Sequence, residues 1–478
     1  MPDGIERLAL RCILPGFVGT VAPDWVLGCA ARGLGGVVLY SRNILELEQL
    51  MALTGRLHAE RPELIIGIDE EGGDVTRLEA HTGSSYPGNL ALGAAGDVAL
   101  TRRVGAAIGA ELAAAGVDLD LAPDADVNTN PSNPVIGVRA FGSNPTSVAA
   151  HTAAWIEGIQ GAGVAACAKH FPGHGDTSVD SHLALPVVEA DPHDGALQPF
   201  DAAIRAGVRA VMSAHIVVRP IDTVPATVSH AVMTGLLRDE LGFSGVAITD
   251  GLEMRGLSDG VSVEGAGVDS LIAGCDALCV GGGLAGPEVV EQMVAAIVEA
   301  VAAGRLTEER LAEAAARVDA LARWRRAQPP SPPPDREAGM LAARRALSVE
   351  GPVRIGDEAL ILKLDRPASI AAGPIPWGLE GPLEAGGVHV ERIEVSGRFD
   401  PGVIDSAVRG RSLVVEVRDL HRDGARLNDV EALLSRHPDA VLVEMGFPAC
   451  RPRGARAYIA TRGSARVNAL AAAEMMHP

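Results

Sequence analysis

Aromatic residues make up only 3% of this chain, and its four tryptophans, Trp25, Trp155, Trp324 and Trp377, are dispersed. A long aromatic platform for a polysaccharide chain is therefore not expected, and a short ligand held in a pocket fits better. Positive charge is also scarce: 41 Lys and Arg against 61 Asp and Glu give a formal net charge of -20. A surface of that sign repels phosphate backbones and anionic lipid, so neither a nucleic-acid nor a membrane partner is expected. No run of about 18 apolar residues offers a membrane span. The N-terminal stretch MPDGIERLALRCILPGFVG carries acidic residues and lacks both the uninterrupted apolar core and the small-residue cleavage site of a signal peptide, which points to a cytoplasmic protein. Cysteine is sparse as well. Cys12, Cys29, Cys167, Cys275, Cys279 and Cys450 form no CxxC pair and mostly sit in apolar runs, so buried free thiols are expected.

What is present is enough apolar material for more than one core: 47% of the 478 residues are hydrophobic and 21% charged, a soluble, globular, multidomain composition. The sharpest break in composition is RRAQPPSPPPDREAG at 325–339, where consecutive prolines forbid helix and favour an extended spacer. It divides a large domain, 1–324, from a smaller one, 340–478. Before the break, short β-branched runs alternate with Ala-rich amphipathic stretches, the pattern of βα units around a parallel sheet. Seven strands are expected at 36–40, 64–68, 117–121, 164–167, 210–214, 245–249 and 277–280, with an eighth near Ala226 to Ser229. Eight such units in about 250 residues suit an α/β fold of the (β/α)8 TIM-barrel type. A doubly wound sheet is the alternative. The barrel is favoured because Asp69, Asp124, Lys169, His170, His215 and Asp250 each follow the C-terminal end of a predicted strand, where barrel active sites are built. After the linker, a helix and strands near 359–362, 412–417, 440–444 and 457–460 suggest a smaller α/β sandwich domain.

The densest polar segment is KHFPGHGDTSVDSH, 169–182. Three histidines, a lysine and two aspartates in a Gly- and Pro-bearing loop after a strand make poor core and a good site. The chemistry leaves two readings. Asp180 can orient His182 as a general acid/base, or His170, His174, Asp180 and His182 can ligate a divalent metal. A second cluster, IDEEGGDVTR at 68–77, offers Asp69 and Arg77 to sugar hydroxyls, and otherwise reads as a solvated turn with an exposed ion pair. A third, GFSGVAITD at 242–250, ends a strand in Asp250, which can attack an electrophilic carbon or simply cap the next helix. Arg139, in NPVIGVRAFG, is uninformative alone.

Taken together, KHFPGHGDTSVDSH, IDEEGG, NPVIGVRAFG, MSAHI and GFSGVAITDGLEM resemble glycoside hydrolase family 3, in its bacterial β-N-acetylglucosaminidase branch, over roughly residues 30 to 285. The resemblance implies Asp250 as the nucleophile of a retaining reaction and His182 as acid/base assisted by Asp180. It implies Asp69, Arg77, Arg139, Lys169 and His170 as sugar-binding residues. It further implies a small saccharide substrate such as a cell-wall fragment, with no metal and no cofactor. Histidine in place of the second carboxylate of most retaining glycosidases keeps a phosphorolytic variant open, and a sugar sensor without catalysis is a distant third. Glu70, Asp74, Ala140 and Gly251 depart from the branch pattern, and Asp74 and Gly251 change local charge.

Overall fold

The computed structural model describes residues 2–258, 262–282, 286–366 and 368–477. Its contacts divide the chain into two compact units. The first comprises Met1–Glu71, Thr101–Ile136 and Ser143–Asp335; the second comprises Gly72–Leu100, Gly137–Gly142 and Arg336–Pro478. The boundary at Asp335 falls inside the proline-rich stretch, but the second unit also draws in two segments from before it.

Besides a two-residue parallel pair, Val187–Val188 with Val217–Val218, eight short parallel strands among the described residues build the first unit: β1 (Ile13–Pro15), β2 (Gly36–Leu39), β3 (Ile65–Ile68), β4 (Leu119–Asp120), β5 (Ala165–Phe171), β6 (Ala210–Ser213), β7 (Val246–Thr249) and β8 (Leu278–Val280). Strands β2 to β7 pair in strict chain order, and β8 pairs with β1. A single parallel bridge, Ile248 to Ala277, carries the order from β7 towards β8. A doubly wound sheet reverses its strand order part-way; this one does not reverse, and the sheet curls. All eight strands send side chains into one buried cluster, among them Leu14, Val38, Ile65, Leu119, Cys167, Met212, Ile248 and Cys279. At Ala165/Cys167, Ala210/Met212 and Val246/Ile248 the cluster takes alternate residues, as the two-residue period of a strand requires.

The seven strands expected from sequence are present. The eighth is misplaced: residues Ala226–Val228 form a 3-10 turn, and the missing strand is β1. The turn forms because the Thr227 hydroxyl is engaged by the Ser213 hydroxyl and by the His215 ring, at 2.9 and 2.7 Å, which ties the segment to the end of β6. Strand β1 is three residues long between a helix, Pro2–Arg11, and Pro15, too short to show a period.

At the N-terminal side of the strands, Asp276 is fully buried between β7 and β8 and receives three guanidinium groups. Arg238, Arg310 and Arg317 reach it at 2.5, 2.8 and 3.0 Å, and the Ala247 N–H donates to it at 3.0 Å. Removing one partner from a buried ionic network leaves the others uncompensated, so Asp276→Ala is expected to cost about 3–5 kcal/mol. A denaturant midpoint indistinguishable from wild type would contradict this.

The second unit has a six-stranded sheet of β9 (Ser348–Glu350), β10 (Glu358–Leu364), β11 (His389–Val395), β12 (Ser412–Val417), β13 (Val441–Glu444) and β14 (Ala457–Ala460). Their order is β9-β14-β13-β12-β10-β11, with only the β9–β14 pair antiparallel. Both faces are buried: Ile361, Val414 and Val443 face Leu383 and Ala472 on one side, and Leu362, Val415 and Leu442 face Leu433 and Leu434 on the other. This explains the near-continuous apolar runs. Early residues are woven into this unit. Asp74 accepts from the Arg418 guanidinium at 2.6 Å and from the Ser464 N–H and hydroxyl at 2.8 and 2.9 Å. Asp74, flagged by the sequence as a change in charge, is thus a buried anchor within the second unit. Asp74→Ala should lower stability by about 3–5 kcal/mol, read as a lower midpoint of second-unit unfolding.

Candidate functional site

Strand ends β3, β5, β6 and β7 supply the polar groups. Lys169, near the end of β5, is 2% exposed, and its ammonium pairs with Asp69 and with Glu71, each at 2.7 Å. The 68–77 cluster is therefore not an exposed turn. Close by, Asp120 accepts the Glu70 N–H at 2.9 Å, and burial pushes its carboxyl well above the usual carboxylate range.

His170 donates from Nδ1 to Asp126, 2.8 Å away, an assignment that rests on the acceptor and leaves Nε2 as the ring position directed elsewhere. Asp126 also accepts the His174 N–H at 2.6 Å. Asp124, Asp126 and His170 lie close enough for three-point ligation of a cation, but Asp126 already spends both oxygens on His170 and His174. That makes it an orienting carboxylate, as in other carboxylate–histidine pairs. The set His170, His174, Asp180 and His182 does not gather as a ligand group among the described residues.

The loop beyond β5 is held by its own polar residues. Asn133 donates to the His174 carbonyl at 2.9 Å. The His174 ring lies between the Thr177 and Ser181 hydroxyls, at 2.7 and 3.1 Å, and burial lowers its pKa to about 4, so it is neutral. Gly175 passes so close to the Val127 carbonyl that a Cβ would lie 1.9 Å from its oxygen. This packing delivers Asp180 and His182. The His182 ring donates from Nδ1 to Asp180 at 2.7 Å, and the His182 backbone N–H donates to the same oxygen at 2.9 Å. Burial works against the Asp180 carboxylate, but these hydrogen bonds outweigh it and hold its pKa below the ordinary value.

Asp250 comes directly after β7. The next helix begins only at Arg255, so Asp250 is not its cap; it accepts the Gly251 N–H at 2.8 Å. Burial disfavours its ionised form, yet the neighbouring imidazoles of His215, His170 and His182 more than offset this and bring its pKa to about 2. His215, after β6, is fully buried. It donates from Nε2 to the Gly251 carbonyl at 3.0 Å, with Nδ1 against Thr227 at 2.7 Å. Burial lowers its pKa.

The first unit thus supplies Asp69, Lys169, His170 and Asp250 from the ends of β3, β5 and β7, and Asp180 and His182 from the loop beyond β5. Arg77 and Arg139 belong to the second unit. There Arg77 donates to the Ala371 and Ala372 carbonyls at 2.7 and 3.2 Å, and the Arg139 carbonyl accepts from Asn89 at 2.7 Å. Three contributors do not stand out in the sequence. Glu71 and Asp126 act through partners about 100 and 44 residues away in the chain, a pairing that only the fold supplies. His215 is visible there as a polar residue at a strand end, without a role.

Residues 26–321 match the glycosyl hydrolase family 3 N-terminal domain. The chain belongs to glycoside hydrolase family 3 and is an enzyme of that class. A solved family 3 β-N-acetylglucosaminidase from Paenibacillus sp. strain FPU-7 is 31% identical, with a TM-score of 0.90 over 99% of this chain and 96% of that one. NagZ from Neisseria gonorrhoeae, solved with N-trifluoroacetyl-D-glucosamine, is 32% identical, with a TM-score of 0.53 over 65% of this chain and 97% of its own. Beta-hexosaminidase A of Pseudoalteromonas piscicida is 37% identical over 63% of this chain, which spans 55% of that relative's length. Among the described residues no helix is long and apolar enough to cross a membrane.

Proposed function

We propose that this enzyme hydrolyses terminal β-linked N-acetylglucosamine from small saccharides such as cell-wall fragments, in the cytoplasm, with retention of configuration. The observation that carries this reading is the pairing of a carboxylate held anionic, Asp250, with a histidine whose Nδ1 is held by a carboxylate at 2.7 Å, His182 with Asp180. In the first step the protonated His182 gives its Nε2 proton to the glycosidic oxygen. The C1–O bond breaks as Asp250 attacks C1, forming a glycosyl ester. In the second step His182 takes a proton from water, the hydroxide attacks C1, and Asp250 leaves as a carboxylate. Asp180 offsets the imidazolium charge in both steps, the role of the buried acid in other histidine-based sites. Asp69, Lys169 and His170, at the ends of β3 and β5, are suited to bind the sugar hydroxyls, and Arg77 and Arg139 are proposed as further sugar-binding residues. The activity named for the Paenibacillus enzyme and the N-acylated glucosamine bound to NagZ support the N-acetylglucosamine assignment. In this reading the curled sheet closes as a (β/α)8 barrel over residues 1–324, joined through 325–339 to an α/β sandwich.

The test is turnover of an aryl β-N-acetylglucosaminide beside the matching β-glucoside, with and without inorganic phosphate. Release of free N-acetylglucosamine, with the glucoside at least about 100-fold slower in kcat/KM, is expected. N-acetylglucosamine 1-phosphate as the product would establish the phosphorolytic alternative, which the neutral base His182 permits. Preference for the glucoside would overturn the substrate assignment.

A further inference from the structure

The second unit contains a cavity of about 280 Å³ that the chemistry above does not use. It opens at the C-terminal ends of β10 and β12, and β10 is the strand at which the order of this sheet turns, with β11 on one side and β12 on the other. Open α/β sheets take their ligands at such switch points, outside the carboxyl ends of the strands.

Its floor is charged. Lys363 on β10 and Glu416 on β12 are partners in register and are 8% and 1% exposed. The Lys363 ammonium donates to the Trp377 carbonyl at 3.1 Å and lies 4.3 Å from the centre of its ring. Glu416 accepts the Leu379 N–H at 2.6 Å. Gly378 brings this loop in: its φ is +122°, and a Cβ there would lie 2.9 Å from a Glu416 oxygen. The half-exposed wall adds Arg392, paired with Glu380 at 2.8 Å, and Arg466. Apolar faces of Pro376, Pro382 and Ala469 complete it.

Ending an otherwise apolar sheet face in a buried lysine and glutamate carries a desolvation cost that plain core would not. Arg466 is paired with Glu79 at 2.9 Å and Arg392 with Glu380, whereas the buried Lys363 ammonium donates to a neutral carbonyl. The Lys363 ammonium suits an anionic group, and Glu416, which accepts the Leu379 N–H on one oxygen, suits a ligand hydroxyl. We propose that this cavity is a second small-molecule site, for a hydroxylated organic anion of the sugar-acid or sugar-phosphate class. Burial pushes Glu416 up to about 7, so near neutral pH it can accept from, or donate to, a ligand hydroxyl.

The experiment is isothermal titration of the full chain with D-gluconate, D-glucose 6-phosphate and D-glucose, for wild type and for Lys363→Met, Arg392→Ala and Asp250→Ala. Saturable binding of gluconate or the phosphate is expected, with D-glucose about tenfold weaker or more. Arg392→Ala or Lys363→Met should weaken it about tenfold, and Asp250→Ala should leave it unchanged. Arg392 is half-exposed, so its substitution does not threaten the fold. Gluconate alone would mark the site as one for sugar acids, the phosphate alone as one for sugar phosphates. No saturable binding of either anion by wild type up to about 10 mM would overturn the proposal. So would binding indifferent to both second-unit substitutions, equal affinity for D-glucose, or loss on Asp250→Ala, which would put the ligand in the first unit.

Discussion

Replacing Asp250 with alanine is expected to lower kcat on an aryl β-N-acetylglucosaminide by about 10⁴-fold or more, because the step that forms the glycosyl ester loses its nucleophile. The fold should be unaffected. Asp250 is half-buried at the end of β7, and it accepts its hydrogen bond from the adjacent Gly251 N–H, so no distant element depends on it for position. The pH profile supplies a second check. A nucleophile must be ionised, and with a pKa near 2 Asp250 remains a carboxylate throughout the range in which the enzyme is folded and active. Its protonation should therefore cause no loss of kcat/KM above about pH 4. An acid limb in kcat/KM well above that pH, present in wild type, would mean that Asp250 is not held anionic. Near-wild-type turnover by Asp250→Ala would remove the nucleophile assignment.

The second large effect is expected at Asp180. Asp180→Asn keeps the size of the side chain but removes the charge facing the His182 Nδ1–H. It also offers an amide that can donate to the ring and favour the wrong tautomer. A loss in kcat of about 10³- to 10⁴-fold is expected, with KM changed little, since Asp180 meets the substrate only through His182. His182→Ala should lose a comparable amount on poor leaving groups and much less on a dinitrophenyl glycoside, whose departure needs little protonation. Equal losses on both leaving groups would place His182 in binding rather than proton transfer. Both variants need thermal melting alongside, because the same loop is pinned through His174, Thr177 and Ser181.

The sequence carries the parts of this architecture that depend on local pattern. Strands such as Val246–Thr249 and Ile65–Ile68 are short apolar runs that end in a carboxylate, and a run ending in that way is readable without a structure. Strand β1 is not readable: three residues next to a proline have no period, and their partner, β8, lies more than 260 residues away. The site divides in the same manner. Asp180 and His182 interact across two residues, so their spacing announces their relation. The pairs Lys169–Glu71 and His170–Asp126 form only when separate strands are gathered into one sheet. Asp74 stands out for its charge, but its buried partners, Arg418 and Ser464, lie over 340 residues on. The organisation of the second unit is likewise hidden, because no composition change marks 72–100 and 137–142 as belonging with the residues after the linker.

The central claim is a covalent intermediate on Asp250, and trapping it is the most direct test. The enzyme would be incubated with 5-fluoro-N-acetylglucosaminyl fluoride, which forms the glycosyl ester but releases it slowly, and then digested and mapped by mass spectrometry. The account predicts one fluorinated N-acetylhexosaminyl adduct, on the peptide containing GVAITD, with fragmentation placing it on Asp250. An adduct on any other residue, or inactivation by turnover without an adduct, would contradict it.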